Sequence, residues 1–90
     1  SLAPIHHLAI SNNLPFYQIS RFFSLICRWL IIEFVPKSDS QVKKLLSTRE
    51  DIFPDYDKDK FELAFGKEFN MIKSMQIPES ERWIYLYKAK

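Results

Sequence analysis

The sequence predicts an α/β fold in three layers, parallel strands with helices on both faces, closed by an antiparallel β-hairpin. Three observations carry that expectation. The run Trp29-Leu-Ile-Ile-Glu-Phe-Val-Pro36 is almost unbroken apolar residue at strand length, the pattern of a strand covered on both faces, since a half-wetted strand would alternate apolar and polar positions. Helical and extended patterns alternate through the first half of the chain, which favours parallel strands joined by crossover helices. Two strand patterns then follow one another directly near the end, and a tight connection between strands makes an antiparallel pair.

Each element has its own signals. Leu2 to Ile10 reads as a first strand, with Pro4 tolerated at its start or on an edge, where a missing N–H does no harm. Ser11-Asn12-Asn13 is a turn cluster, and Pro15 suits the first position of a helix whose Phe16, Ile19, Phe22, Phe23 and Ile26 share a stripe and which Arg28 closes. The apolar strand follows, stopped by Pro36. Ser38 or Asp39 then caps a second helix with Val42, Leu45 and Leu46 inward and Lys43 and Lys44 outward. Arg49 to Tyr56 is irregular, and Asp57 caps a third helix with Phe61, Ala64, Phe65 and Phe69 as its buried face, slightly weakened by Gly66. Met71 to Ile77 and Arg82 to Lys88 are the closing strands, with Pro78 to Glu81 as the turn. In the last strand Trp83, Tyr85 and Tyr87 take one face, Ile84 and Leu86 the other.

Composition bounds the class of protein. Ninety residues, 47% hydrophobic and 16% aromatic, describe one small domain that buries a core with little stability to spare. Thirteen basic and eleven acidic residues give a formal charge of +2 without a basic stripe, so nucleic acid is not the leading partner. The lone Cys27 excludes an intramolecular disulfide and fits a reducing, cytoplasmic setting; in an apolar helical pattern it reads as structural rather than nucleophilic. No apolar run reaches membrane-spanning length, and the N-terminus lacks the regions of a signal peptide.

Candidate chemistry concentrates at strand ends, because open α/β sheets hold ligands beyond the carboxyl ends of their strands. His6 and His7 stand near the end of the first strand, where a neutral imidazole could orient a substrate or accept a proton; on a strand they would point to opposite faces. Glu33 interrupts the apolar strand, and burying a carboxylate unpaired costs several kcal/mol, so it is paired, protonated or beside a wet cavity. Pairing with a helix residue such as Arg21 or Arg28 is the first expectation, action as a base the second. No metal is expected, since two adjacent histidines lack further ligands at suitable spacing. Asn12 and Asn13 are explained by turn preference, and Glu50-Asp51 to Asp59 by a solvated loop and helix start. The aromatic face of the last strand could stack bases, but packing against Phe61, Phe65 and Phe69 accounts for it more simply.

The order Ile5-His6-His7-Leu8, an aromatic-rich helix, Leu30-Ile-Ile-Glu-Phe-Val-Pro36, a helix and a closing hairpin resembles the C-terminal half of a class I, Rossmann-like S-adenosylmethionine-dependent methyltransferase. The resemblance covers nearly the whole chain. It implies that the chain supplies the fourth to seventh strands of a seven-stranded sheet, the last inserted antiparallel between the fifth and sixth. It also implies a substrate-side role in methyl transfer to an unknown acceptor, with His6, His7 and Glu33 aligning the nucleophile. The family's glycine-rich turn and acidic ribose-binding residue have no counterpart. The only glycine, Gly66, falls inside a helical pattern. S-adenosylmethionine is therefore expected as a cofactor of the parent protein, with no cofactor-binding residue in this chain, which by itself should be inactive. The implied partner is the missing N-terminal half of the same domain. The alternative is a stand-alone α+β interaction or dimerisation module, a homo-oligomer paired through the apolar edge of its first strand.

Overall fold

The computed structural model describes residues 2–47 and 53–90. It is a small α+β fold and overturns the expected three-layer sandwich. Four strands, β1 (Leu2–Pro4), β2 (Trp29–Phe34), β3 (Phe69–Gln76) and β4 (Trp83–Ala89), form one sheet in the order β1-β2-β4-β3. The body of the sheet is antiparallel: β4 pairs with β2 and with β3 in that sense. Parallel pairing is confined to the three residues of β1 against Ile31–Glu33. The expectation failed because an apolar run reports that a strand is central without reporting the direction of its neighbours.

The first strand is also shorter than its pattern suggested. After Pro4 the chain turns, and His7–Ser11 forms a π-helical turn. A proline at the third position withholds one ladder donor, and the apolar residues beyond it serve the core instead: Ile5 and Ile10 are fully buried. Asn13 takes a left-handed conformation with φ 53°, which asparagine tolerates well.

Helix α1 (Phe16–Ile26) begins after Pro15 and ends at Cys27, one residue short of Arg28. Asp39 rather than Ser38 caps α2 (Ser40–Leu46), accepting from the Gln41 N–H at 2.9 Å. Asp57 caps α3 (Lys58–Glu68), accepting from the Lys60 N–H at 2.8 Å. Both side chains satisfy an N–H that a helix start otherwise leaves open.

The core is aromatic and lies on one face of the sheet. Register pairs Leu30 with Tyr87, Ile32 with Tyr85 and Phe34 with Trp83, so these residues share a face. Onto it α3 lowers Phe61, whose ring meets Phe16, Phe34, Phe65, Tyr85 and Tyr87 at centroid distances of 4.6 to 6.3 Å. Phe65 stacks against Tyr87 and Phe69. Helix α1 joins through Phe16, which touches Phe34 and Phe61. The base-stacking alternative for Trp83, Tyr85 and Tyr87 thus gives way to packing, as the apolar stripe of α3 foretold.

The opposite face is a second correction. The run from Trp29 is not covered on both sides: Trp29 remains 52% and Ile31 41% exposed, and Met75 on β3 is 53% exposed. Strand β3 is exposed at every position after Phe69, on both of its faces. It carries a bulge between Met71 and Lys73.

Candidate functional site

The expected site residues lie around the carboxyl end of β2, although not as the sequence arranged them. His6 sits in the helical region of backbone space just before the π-helical turn and is 4% exposed. Because β1 stops at Pro4, the histidines are not successive strand positions and the opposite-face argument does not apply. His7 opens the turn; its side chain lies outside the described residues, as do Glu50 and Asp51 of the acidic run.

Glu33 is 8% exposed and faces away from the aromatic core, in register with Ile84. Its partner is neither Arg21 nor Arg28. Arg82, immediately before β4, brings Nη1 to 3.6 Å from Glu33 Oε1. The same guanidinium forks onto Asp39, Nε to Oδ2 at 2.7 Å and Nη2 to Oδ1 at 3.0 Å. Sequence spacing could not reveal this pair, because Arg82 and Asp39 are 43 residues apart and meet only when β4 lies beside β2. The nearest sequence signal was the turn before β4, whose composition marks a connection but not its destination.

Electrostatics follow the geometry. The hydrogen bonds from Arg82 hold the Asp39 carboxyl below its ordinary range, with Gln41 N–H and a charge on nearby His6 acting in the same direction and partial burial opposing. Arg82 is raised, first through its bonds to Asp39. Tyr56, buried under this corner, donates to the Val35 carbonyl at 2.5 Å, and burial drives its phenol well above the usual range. Ser38 donates to Glu81 across the same end of the sheet. A buried histidine, a partly shielded carboxylate and a forked ion pair thereby meet where β1 and β2 end. The arrangement can orient a polar ligand, but Glu33 and Asp39 are both engaged by Arg82 and are not free bases.

One cavity lies beside this corner and another lies apart from it. One, of about 440 Å³, is lined by Phe34, Lys37, Tyr56, Lys58, Glu81 and Trp83 among others; the Lys58 ammonium lies 4.2 Å from the Trp83 ring centre. The other, of about 500 Å³, opens between the start of α1 and one side of α3 from Lys60 to Lys67. Neither is lined by His6 or Glu33. No group of three His, Cys, Asp or Glu residues among the described residues is placed to hold a metal. Gly66 is exposed in the last turn of α3 with open space around it, so it forms no strand-to-helix ligand cradle. No helix among the described residues is long and apolar enough to cross a membrane. Cys27 is a free, half-buried thiol.

Comparison with known proteins gives one relevant relative. The chain is similar to nodulation protein NoeA of Rhizobium meliloti (strain 1021), 38% identical over 88 residues. The match spans 98% of this chain but 18% of that protein, so the chain corresponds to under a fifth of its relative's length. No protein-family model matches the chain, and no solved structure matches it.

Proposed function

We propose that the chain is the C-terminal, acceptor-side part of an S-adenosylmethionine-dependent methyltransferase, completed by further segments of a longer protein. The observation that carries this reading is the position of β4 between β2 and β3, antiparallel to both. That is the position which the resemblance assigns to its last strand, and a hairpin closing without insertion would instead leave β4 at the edge. The relative is a long protein of which this chain matches only a part, in keeping with a piece that works inside a larger one. The apolar sheet face at Trp29 and Ile31 is the surface that the remainder covers. The relative is named for nodulation, and we extend that process to the methyl acceptor of the protein carrying this chain.

Within this reading the residues present do not form a cofactor cradle, since the single glycine lies within α3, in its last turn. Holding S-adenosylmethionine falls to the rest of the protein, and no step here runs through it. The chain's own contribution is positional. His6, buried beside Asp39, holds or accepts a proton at the strand ends, while Arg82 anchors Glu33 and Asp39 and fixes the loop leading into α2.

The test is a calorimetric titration of the whole protein with S-adenosylmethionine, paired with methyl-transfer assays on extracts containing candidate acceptors. Saturable cofactor binding by the whole protein, with methyl transfer slowed by His6→Ala, supports the reading. A folded whole protein that neither binds the cofactor nor transfers methyl groups removes it. A concentration-independent homodimer ordered through β1 would then favour the interaction-module alternative.

A further inference from the structure

The 500 Å³ cavity between α1 and α3 is a different place from the histidine corner. Its walls are mainly apolar: Leu14 just before α1, Phe16 and Tyr17 from its first turn, Phe53 from the loop before α3, and Leu63 and Ala64 from α3 itself. Ligand pockets combine this kind of lining and size with a few polar groups that fix orientation. Tyr17 and Leu63 are each 65% exposed, so large apolar side chains stand at its mouth instead of folding into the core.

Its charged lining is two lysines and one aspartate. Lys60 and Lys67 line the cavity from α3, seven residues or about 10 Å apart along the helix. Asp55, also in the lining, occupies Lys60 at 3.1 Å. Lys67 forms no ion pair or hydrogen bond among the described residues, leaving one uncompensated cation beside an apolar cavity. The first turn of α1 has no side-chain cap, and an open helix start adds positive potential to the facing wall.

We infer that this cavity binds a small amphiphile with an apolar body and a single anionic head, the head at Lys67 and the body against Phe16, Phe53 and Ala64. Charge complementarity selects the class: a cationic amphiphile would meet the unpaired ammonium, and a neutral one would leave it unused. The inference does not rest on the methyltransferase reading.

Decanoate, below its micellar concentration, is the probe, followed by amide NMR shifts and calorimetry on the folded protein. Saturable binding that shifts the amides of residues 13, 14, 16 and 17 and of residues 60–67 is expected. Lys67→Glu, an exposed change, should weaken decanoate at least tenfold and reverse the preference over decyltrimethylammonium. Ala64→Leu should weaken both amphiphiles by filling the cavity. Absence of saturable binding overturns the inference. So do shifts centred on Trp29 and Ile31, which would mean nonspecific adhesion to the bare sheet face, or undiminished decanoate affinity in Lys67→Glu.

Discussion

Replacing Arg82 by Met removes the guanidinium while keeping much of its stem, and it isolates the ionic contribution to the corner of the sheet. Two charge-assisted bonds to Asp39 are lost, at 2.7 and 3.0 Å, and Glu33, 8% exposed, loses its only ion-pair partner among the described residues. Bonds to charged groups contribute about 1.5–3 kcal/mol each, and breaking a buried pair costs about 3–5 kcal/mol. The Arg82 side chain is 28% exposed, so solvent screening reduces the effect, and about 2–4 kcal/mol is expected at pH 7. The pH dependence has a fixed sign. Asp39 has a lowered folded-state pKa, so its stabilisation is present above the unfolded value near 3.9 and is lost as pH falls through the folded value. The gap between wild type and Arg82→Met should therefore be full at pH 5 to 7 and shrink below about pH 4. Urea unfolding at pH 7, 5, 4 and 3 measures it. A loss under 0.5 kcal/mol at pH 7, or one that does not shrink in acid, would refute the reasoning.

Further predictions use the same physics. Tyr85 donates to Glu62 at 2.7 Å, whereas the buried Tyr87 hydroxyl has no hydrogen-bond partner among the described residues. Tyr85→Phe should lower stability by about 1–2 kcal/mol and Tyr87→Phe should be neutral or stabilising, as denaturant midpoints will show. Gly66→Ala adds a methyl group into open space on an exposed helix position and should raise stability by about 0.5–1 kcal/mol in the same assay. Phe61→Ala removes the ring at the centre of the aromatic core and should cost about 3–5 kcal/mol, measured calorimetrically where the variant still folds.

Local chemistry was legible in the sequence, and spatial relations were not. The cap at Asp57, one of the two candidate caps for α2, Phe61 and Phe65 of the α3 stripe and the shared face of Trp83, Tyr85 and Tyr87 follow from interactions within a few residues or from a strand's period of two, and the structure holds them, while Phe69 opens β3 instead of ending the helix stripe. The first strand failed at Pro4: an apolar segment with weak periodicity fits a strand and a buried turn equally well, and burial of Ile5 and Ile10 satisfies both. The site was legible as residue types near strand ends but not as a network. Glu33 required a partner on energetic grounds, yet only the path of β4 made that partner Arg82.

What the sequence determined by itself was the presence of α1, α2 and α3 and the aromatic faces of α3 and β4, because these depend on periodicity and caps close along the chain, whereas the π-helical turn at His7–Ser11 was read as strand. Tertiary structure alone decided the antiparallel body of the sheet, the single helical cover over the core face and the exposure of Trp29 and Ile31. Strand direction and facial cover depend on which distant segments meet, and a hydrophobic pattern records the demand for burial without naming the surface that meets it.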